Sequence, residues 1–502
     1  MAHIVSNAEI QREGHRFARL LDQAGIGATD AVALLLPNLP AFLHCFRGIS
    51  WSGRTAVPIN RNLKPEDVAY VVENSGARAL VAHVDYAEAA LVAGAHLPAG
   101  HRFALGGDIP GFRRLEEMAA LSDAPLAQPR AGALMLYTSG TTGKPKGVMS
   151  QAIEEVSSGP PSLAGRRSME MLTLFLGSEP VGTHLVAGPL YHAAPLSYCE
   201  GATLLDARAV IMERWDAEEF LRLVEAHRVK TTFLVPTHFV RLLKLPEEIR
   251  RRHDLSSLRL IFHGAAPVAP EIKRQMIEWL GPVLFEFYGG SEGAGSTAID
   301  SRDWLAHPGS VGRATPGCEI RILDDAGQPC PPGTEGNIYF HTRRQRFEYR
   351  GDPEKTAAAY RGDLSTLGDI GYLDADDYLF LCDRRADLVI SGGVNVYPAQ
   401  VESVLLTHPQ VLDCCVVGLR DAEWGERLLA IVVLRDDVEE TEALRNDLVR
   451  HCESRLARQQ MPREFTFARS LPRTEAGKLL RREVRDTYRQ RFDATARDTA
   501  KP

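Results

Sequence analysis

Residues 133–148 read ALMLYTSGTTGKPKGV, a strand-sized apolar run that leads directly into a loop of glycine, hydroxyl and lysine residues. Glycines allow successive backbone N–H groups to point into one concavity, and the hydroxyls and lysines add donors and positive charge. This composition predicts a phosphate-binding loop. It is not a Walker loop, because two residues instead of four separate Gly140 from Gly143, and Pro145 stands where Ser or Thr would hold Mg²⁺.

On both sides of this loop, short apolar runs alternate with helical patterns. Strand-sized runs bounded by turn residues occur at 31–36, 79–84, 231–235 and 258–264. Helical patterns occupy 216–229 and 267–280, the second with Pro270 and Glu271 where a helix start favours them. Such alternation predicts mostly parallel sheets covered by helices, with ligand sites at the carboxyl ends of strands. The phosphate-type loop lies at one such end.

The pattern changes towards the C-terminus. After about residue 310, alternating apolar residues and the turns DDAG and PPGTEG predict a small antiparallel section. Charged residues near Asp383–Asp387, between two apolar runs, predict a domain boundary. We therefore expect an α/β fold. Its large N-terminal domain, 1–383, combines helix-covered, mostly parallel sheets with the small β section; a small mobile α+β domain spans 384–492, and a disordered tail 493–502.

Composition narrows the range of functions. The 502 residues carry a formal net charge of −7, which argues against a nucleic-acid binder, because phosphate backbones demand an excess of Lys and Arg. The eight cysteines form no C-x-x-C pair, and such scattered cysteines predict reduced thiols of a cytoplasmic protein. The N-terminus is polar, and the most apolar stretch, 31–46, is interrupted by prolines and too short for a bilayer.

Further short strings stand in a fixed order along the chain: PLYH (189–192), GAAPV (264–268), YGGSEG (288–293), GSVGRATPG (309–317), STLGDIGYLD (365–374), DRRADLVISGGVNVYPAQVE (383–402) and PRTEAGKLLRR (472–482). Together with the loop they resemble the motifs of the adenylate-forming superfamily, which includes acyl-CoA ligases, peptide-synthetase adenylation domains and beetle luciferase. The strings FEYRGDPEKTAAAY and DRRADLVISGGVNVYP are most similar to those of bacterial fatty-acid and steroid- or terpenoid-acid CoA ligases.

The resemblance implies a reaction in which a carboxylate attacks the α-phosphate of ATP, pyrophosphate leaves and an acyl-adenylate remains. Such a displacement depends on positioning and charge stabilisation. Glu292 is implied as a catalytic residue and the Mg²⁺ ligand, since that ion prefers hard oxygen ligands. The residues implied to bind the β- and γ-phosphates are Thr138, Ser139, Gly140, Thr141, Thr142, Gly143, Lys144 and Lys146.

The same resemblance implies a nucleoside site. Gly264, Ala265 and Ala266 would lie along the adenine and Tyr288 would stack on it. Asp369 would accept the ribose hydroxyls, with Arg384 assisting. The cofactor-binding residues implied on this side are Gly264, Ala265, Ala266, Tyr288, Gly289, Gly290, Ser291, Asp369 and Arg384.

Lys478, in the string PRTEAGKLLRR, is implied to bridge the substrate carboxylate and the α-phosphate, and we predict it as the principal catalytic side chain. A point charge on a long stem suits a role needed in only one half-reaction. For thiol attack the family rotates its C-terminal domain, and Gly392 and Gly393 would then leave room for the pantetheine arm. The family's hinge residue is typically Asp or Lys. Ala386 stands there instead; alanine permits the rotation, and the hinge assignment stays open.

The acid site is predicted from the strings around PLYH. His192 resembles the catalytic gate near the carboxylate. An α-amino acid substrate is not expected, because no acid precedes Glu200 to pair with an ammonium. The expected lining is small, with Ala193, Ala194, Gly201, Ala202, Gly289, Gly290, Gly293, Ala294 and Gly295, and its apolar walls are Phe233, Val235 and Phe239. This predicts a bulky hydrophobic acid, either polycyclic, aryl or medium-to-long fatty acyl.

The leading hypothesis is therefore an AMP-forming acid–CoA ligase that uses ATP, Mg²⁺ and coenzyme A. One alternative is a stand-alone adenylating enzyme that loads a carrier-protein phosphopantetheine, and a luciferase-like oxygenase is a third enzymatic reading. The alternative from another class is a non-catalytic, nucleotide-binding regulatory relative. The expected partner is a small hydrophobic carboxylic acid, without nucleic acid; a carrier protein and a homodimer stay open.

Overall fold

The structure, a computed structural model, describes residues 2–138, 144–152, 163–342, 345–391, 394–421, 424–474, 477 and 479–498. Its α-helices in chain order are α1 (Asn7–Gln23), α2 (Pro40–Trp51), α3 (Pro65–Ser75), α4 (Ala87–Gly94), α5 (Leu163–Leu176), α6 (Ala193–Leu204), α7 (Ala217–His227), α8 (Pro236–Leu243), α9 (Glu247–Arg252), α10 (Pro270–Leu280), α11 (Ser301–Ala306), α12 (Pro353–Ala358), α13 (Pro398–Leu405), α14 (Glu442–Glu453) and α15 (Arg481–Asp498).

The strands of the first half of the chain are β1 (Ala2–Val5), β2 (Ala31–Leu35), β3 (Thr55–Pro58), β4 (Ala77–His83), β5 (Arg102–Leu105), β6 (Arg113–Arg114), β7 (Ala133–Thr138), β8 (Lys146–Ala152), β9 (Thr183–Val186), β10 (Arg208–Met212) and β11 (Thr231–Leu234). Those of the second half are β12 (Leu260–His263), β13 (Leu284–Gly289), β14 (Ser296–Asp300), β15 (Ser310–Ala314), β16 (Cys318–Leu323), β17 (Gly336–Thr342), β18 (Gln345–Tyr349), β19 (Tyr360–Arg361), β20 (Leu364–Ser365), β21 (Asp369–Leu373), β22 (Leu379–Arg384), β23 (Val389–Ser391), β24 (Val394–Val396), β25 (Val411–Asp421), β26 (Gly425–Leu434) and β27 (Glu464–Phe467).

One sheet carries the phosphate-type loop. Within the described residues its strand order is β18-β8-β7-β3-β2-β4-β5-β6. Neighbours from β7 to β6 run parallel, whereas β7, β8 and β18 pair antiparallel. Thr138, at the end of β7, pairs with Lys146, at the start of β8. Residues 139–145 therefore follow the carboxyl end of a strand that also belongs to the parallel part of the sheet, as the sequence predicted.

A second, larger sheet begins with a parallel part. Strands β10, β9, β11, β12 and β13 run parallel in that spatial order, and β1 is added antiparallel at the edge. Every residue of β9, β11 and β12 is buried. Short strands that are buried along their whole length are typical of parallel strands covered by helices on both faces. The carboxyl ends of β12 and β13 lie side by side, which places residues 264–266 next to residues 288–290.

The antiparallel section predicted after residue 310 extends this same sheet. From β13 the order continues through β14, β15, β22, β21, β17, β20 and β19, and all of these neighbours pair antiparallel. Asp369 in β21 and Arg384 in β22 are register partners in this part. The section is thus joined to the parallel part by backbone hydrogen bonds, and it carries site residues of its own.

The C-terminal residues form a third sheet from Val389 onward, in the order β24-β23-β26-β25 with β27 parallel to β26. Helix α13 begins at Pro398, as the sequence predicted. Helix α15 continues to Asp498, past residue 493, so the expected tail is helical over the described part; residues 499–502 lie outside it. The boundaries at 383 and 492 stay predictions. No helix in the described ranges has the length and apolarity needed to cross a membrane.

Candidate active site

The residues predicted for the nucleoside meet on neighbouring strands. Tyr288 Oη donates a hydrogen bond to Asp369 Oδ2 at 2.6 Å, and Arg384 Nε lies 3.4 Å from Asp369 Oδ1. Burial and the neighbouring Asp369 carboxylate raise the pKa of Tyr288 well above its ordinary value. The phenol therefore stays protonated and is the donor of this hydrogen bond. A nearly buried carboxylate is therefore held between a phenol and a guanidinium, in an arrangement that can accept two vicinal hydroxyls.

The predicted adenine segment lies at the adjacent strand end. Gly264 follows β12, and a Cβ at this position would stand 2.6 Å from the backbone oxygen of Phe287. Only glycine allows this approach without a shift of the backbone. Ala265 has φ 70°, a left-handed conformation that strains an alanine, and it is exposed. Strain of this kind is often found at ligand sites. Ala266 is half-buried beside it.

The turn after β13 carries Glu292. Gly289 ends the strand, and Gly290, Ser291 and Glu292 form a turn closed by a hydrogen bond from Gly293 N to Gly290 O at 3.0 Å. Tyr349 Oη donates to Glu292 Oε1 at 3.1 Å. Because this turn directly continues the strand of Tyr288, the predicted metal ligand Glu292 has a fixed position relative to the nucleoside residues.

The lysines of the phosphate-type loop contact residues on other elements. Lys144 Nζ lies 4.7 Å from the centre of the Tyr70 ring, in a cation–π arrangement. Lys146 Nζ lies 3.5 Å from Asp352 Oδ2, and Asp352 is the N-cap residue of α12. Thr138 and both lysines thus flank the loop, while Ser139, Gly140, Thr141, Thr142 and Gly143 lie outside the described residues.

Lys355 is a further cation of this site that sequence reasoning missed. Its Nζ lies 3.9 Å from the centre of the Tyr349 ring. Partial burial and the neighbouring Lys146 lower the pKa of Lys355 to about 8, while Glu292 and Asp352 act in the opposite direction. Two adjacent ammonium groups that raise each other's energy are stabilised by a bound polyanion. The string DPEKTAAAY held the signal, since an N-cap Asp followed by Pro353 predicts a short helix that presents Lys355 in its first turn.

Glu292 fits a Mg²⁺ ion. Mg²⁺ is usually bound through one or two carboxylates together with substrate phosphates and waters, instead of a cage made wholly of protein ligands. Consistent with this, the described residues contain no group of three or more His, Cys, Asp or Glu side chains able to hold a metal. Glu292 would supply one carboxylate ligand, and the phosphates would supply others. Lys146 and Lys355 lie near this carboxylate and carry positive charge suited to a triphosphate.

Gly477, the residue before the predicted catalytic lysine, lies close to the large sheet. Lys478 itself, like Gly392 and Gly393, lies outside the described residues. Its neighbour Gly477 has φ +78°, and a Cβ there would stand 2.2 Å from Thr237 Oγ1. Thr237 is in the first turn of α8, directly after β11. Gly477 is therefore placed at the carboxyl edge of the large sheet, on the side of the predicted site.

The expected hinge contacts the small C-terminal unit. The carbonyl of Ala386 accepts a hydrogen bond from Arg485 Nη1 at 3.2 Å. Asp383 Oδ2 accepts from the backbone N of Ala399, near the start of α13, at 3.1 Å. Burial raises the pKa of Asp383 to about 6, although Arg481 opposes this. The contact of Asp383 with Ala399 spans the predicted boundary, and the role of Ala386 as the hinge stays a prediction.

The aromatic residues on and around α6 form one buried cluster. Tyr198 of α6 stacks on Phe262 with ring centres 4.0 Å apart, and its ring centre is 5.9 Å from that of Phe233 and 5.6 Å from that of Phe287. Half-buried Ala194 and Phe287 pack against this cluster. His192 is the N-cap residue of α6, with its ring 4.5 Å from that of Tyr191. The predicted gate and the aromatic cluster are thus connected by one helix, α6, which begins after His192 and carries Tyr198.

Glu200, the first acid after PLYH, forms a buried ion pair with Arg47. Its carboxylate and the guanidinium of Arg47 are both fully buried, with Arg47 Nε 2.8 Å from Glu200 Oε1 and Arg47 Nη2 2.9 Å from Oε2. Thr203 Oγ1 accepts a further bond from Arg47 at 3.0 Å. A buried carboxylate held this way cannot serve a substrate ammonium, which supports the expectation that α-amino acids are not substrates.

Some of the small residues that were expected to leave pocket volume are instead needed for close packing between elements. A Cβ on Gly201 would stand 2.7 Å from Met169 N, where α5 and α6 cross, and one on Gly295 would stand 2.5 Å from the Phe340 ring. Ala202 and Ala294 are buried in apolar clusters. Phe239 is also wrong as a wall of the acid site, because it packs in the core among α7, α8 and α10. Volume for the acid cannot be inferred from these five positions.

Comparisons with known proteins match this geometry. Residues 3–345 match the family of AMP-binding enzymes, and residues 400–478 match the C-terminal domain of AMP-binding enzymes. The chain belongs to the AMP-binding enzyme family. A feruloyl-CoA synthase of Amycolatopsis sp is 34% identical to this AMP-binding enzyme over 489 residues, covering 96% of this chain and 93% of the relative.

Two further relatives support the same class. The long-chain-fatty-acid–CoA ligase FadD13 of Mycobacterium tuberculosis is 31% identical over 486 residues, covering 96% of this chain and 92% of its own. The structure of o-succinylbenzoate CoA synthetase from Bacillus subtilis with its acyl-adenylate intermediate superposes with a TM-score of 0.78 at 27% identity, covering 95% and 92% of the two chains. The predicted adenylate-forming resemblance, the α/β fold and the class of AMP-forming acid–CoA ligase that uses ATP, Mg²⁺ and coenzyme A are confirmed.

Proposed function

We propose that this enzyme activates a hydrophobic carboxylic acid, with an aryl acid favoured, and transfers the acyl group to the thiol of coenzyme A. The proposal rests on one observation: strand β13 and the turn after it carry both the nucleoside residue Tyr288 and the predicted metal ligand Glu292. Tyr288, bonded to Asp369, and Glu292, bonded to Tyr349, are four residues apart in sequence, and Lys355 lies on the same Tyr349 ring. Nucleoside and polyphosphate groups thus have adjacent partners of the right charge.

The first half-reaction is a displacement at the α-phosphate of ATP. The substrate carboxylate oxygen forms the new P–O bond, the bond to the β-phosphate breaks, and pyrophosphate leaves with the bonding electron pair. Asp369 and Arg384 would hold the ribose, while Lys144, Lys146 and Lys355 would stabilise the charge of the leaving group. Mg²⁺ held by Glu292 would neutralise phosphate charge when bound. Lys478 would bridge the carboxylate and the α-phosphate.

The second half-reaction moves the acyl group to sulfur. The thiol sulfur attacks the acyl carbon, the C–O bond to AMP breaks, and AMP leaves as the thiol proton passes to solvent. Coenzyme A and a carrier-protein phosphopantetheine present the same thiol arm, so the carrier protein is the alternative acceptor. The named relatives favour coenzyme A. A homodimer stays a prediction.

The aromatic cluster around α6 favours an aryl acid. Tyr198, Phe233, Phe262 and Phe287 form this cluster, and an aryl substrate bound against it would gain offset stacking beyond simple apolar contact. The feruloyl-CoA synthase relative acts on an aryl acid by its name, and FadD13 on long-chain fatty acids. We also infer a cytoplasmic location, which the eight free cysteines support.

The proposal is tested by pyrophosphate release with ATP and acids graded by size and ring content. We expect hydroxycinnamate-sized aryl acids to exceed acetate and α-amino acids, with fatty acids of intermediate chain length behind them. Acyl-adenylate formed in this way should give a thioester when coenzyme A is added. A protein that releases no pyrophosphate with any acid would be the regulatory relative; one that forms acyl-adenylate but no acyl-CoA would be the carrier-loading enzyme.

A further inference from the structure

Helix α8 of the large N-terminal part contacts the small C-terminal unit at both of its ends. At its start, Thr237 lies against Gly477, the residue before Lys478. At its end, Nζ of the C-cap residue Lys244 donates a hydrogen bond to the backbone carbonyl of Val411, at the start of β25. The small unit is therefore seated on one helix by two separated contacts.

The contact of Lys244 falls on an irregularity of the third sheet. Val411 pairs with Leu434 and Asp413 pairs with Val433, so Leu412 has no partner in the ladder. A bulge of this kind bends a strand and re-aims the groups beside it. At this bulge the Val411 carbonyl accepts the hydrogen bond from Lys244. Two residues further on, the Asp413 carboxylate binds a second cation.

That cation is Arg473, in the string PRTEAGKLLRR that also contains Lys478. Arg473 Nε lies 2.7 Å from Asp413 Oδ2 and its Nη2 lies 2.6 Å from Oδ1, a bidentate pair. Its remaining nitrogen, Nη1, donates to the carbonyl of Gly477 at 2.7 Å. The planar guanidinium thus fixes the backbone next to Lys478 relative to the bulge.

The charges that face the Lys244 ammonium from the small unit are Asp413 and Arg435, with the Cys414 thiol beside them. Asp413 attracts the ammonium and Arg435 repels it. The Asp413 carboxylate is thus paired with Arg473 of the small unit and also attracts Lys244 of the large part. The direct contact between the two parts here is the hydrogen bond from Lys244 to Val411.

We propose that Lys244 is a positioning residue for adenylation, which holds the bulge at Val411 so that the Arg473 clamp presents Lys478 to the active site. The inference rests on the proposed function. Rotation of the small unit about the predicted hinge near Ala386 displaces Val411 and Gly477 from α8. Lys244 therefore supports the half-reaction that uses Lys478 and has no part in thiol attack.

The experiment separates the two half-reactions in full-length protein. Single-turnover pyrophosphate release is measured with ATP and the aryl acid that performs best in the acid screen. Thioester formation is measured with coenzyme A and the matching synthetic acyl-adenylate. For Lys244→Met, which keeps the stem and removes the ammonium, we expect adenylation to slow about tenfold, because a hydrogen bond from a charged donor is lost. Thioester formation should be unchanged or faster.

Two variants complete the test. Lys244→Arg restores a charged donor and should recover most of the adenylation rate. Lys230→Met is the matched control, since Lys230 binds Glu179 at 2.7 Å and the Pro180 carbonyl at 2.9 Å, wholly within the large part; both half-reactions should match wild type. If Lys244→Met does not fold, Lys244→Gln, which keeps a neutral donor, should show the same selective loss to a smaller degree.

Equal losses in both half-reactions, or no loss in either, would overturn the positioning role while leaving the proposed function intact. A wild-type enzyme that forms neither acyl-adenylate nor thioester would instead refute the proposed function. A selective loss of adenylation that Lys244→Arg restores would support the inference, because a merely structural lysine would affect both half-reactions together.

Discussion

The nucleoside side of the site and the lysine side are held by different kinds of contact. Asp369 and Arg384 are register partners on adjacent strands, and Tyr288 reaches them from the same sheet, so the backbone ladder fixes their distances. Gly477, next to Lys478, meets Thr237 across two units that share no sheet, and Arg473 and Lys244 secure that contact through side chains.

The difference teaches where each group can act. A group fixed by a sheet serves every step in which the nucleotide is bound, because its position does not depend on the orientation of another unit. A group presented by side-chain contacts can be withdrawn when a unit rotates. We therefore expect variants on the nucleoside side to impair both half-reactions, and variants on the lysine side to impair adenylation alone.

The largest expected effect is that of Lys478→Ala. Loss of the charge that bridges carboxylate and α-phosphate should slow adenylation by about 10²- to 10³-fold, the range found for removal of a group that stabilises transition-state charge. Thioester formation from synthetic acyl-adenylate should persist near the wild-type rate. The measurement is single-turnover pyrophosphate release alongside acyl-CoA formation. Equal loss of both would remove the role assigned to Lys478.

Asp369→Ala should come next and should not discriminate between the steps. The change leaves Arg384 and Tyr288 without their shared partner and removes the acceptor for the ribose. We expect KM for ATP and for acyl-adenylate to rise by about 10- to 100-fold, the effect of losing a buried charged hydrogen bond. Steady-state kinetics of each half-reaction measure it.

A matched control for Asp369→Ala is Asp363→Ala. Asp363 is an exposed acid of the same antiparallel section, 3.3 Å from His341, and should leave both KM values unchanged. A rise in KM confined to one half-reaction in Asp369→Ala would contradict the idea that the sheet-held side serves both.

Gly477→Ala should give a smaller and selective effect. Alanine at φ +78° is strained, and its Cβ would collide with Thr237 Oγ1. We expect adenylation to fall by about tenfold and thioester formation to be spared, since the strain opposes only the seated orientation. Adding Thr237→Ala removes the collision and should recover part of the rate. If the double variant is no better than Gly477→Ala, contact with α8 does not limit the step.

The smallest expected effect is on the pH dependence set by Lys355. Burial and the nearby Lys146 lower the pKa of Lys355 to about 8, so the ammonium is charged below that pH and neutral above it. Hence kcat/KM for ATP should fall by roughly several-fold between pH 7 and pH 9, as a cation near the phosphates is lost. Lys355→Arg stays charged throughout this range and should flatten the profile. The same decline in the arginine variant would assign it to another group.

Much of the parallel part of the fold followed from sequence, because several of its strands are short, largely apolar runs bounded by turn residues. Runs at 31–36, 133–137 and 231–235 became β2, β7 and β11 within a residue or so. The nucleoside residues were predicted from the family resemblance of their local strings, and the structure brings Tyr288, Asp369 and Arg384 together. Lys355 was missed because its string predicts a short helix but does not show that Tyr349 and Lys146 lie beside it. The roles of Gly201, Gly295 and Phe239 were misjudged because smallness and apolarity are equally suited to packing and to a pocket.

Sequence alone was enough to identify an adenylate-forming α/β enzyme and to name Asp369, Glu292 and Lys478, since these depend on local strings. Tertiary structure was needed to show that Glu200 is paired with Arg47 and that Lys355 lies against Tyr349, near Lys146. It was also needed to show that Thr237 and Lys244 of α8 contact the small unit. The physical reason is separation along the chain. Lys244 and Val411 are 167 residues apart, and no local pattern encodes a contact that forms only when two separate units meet.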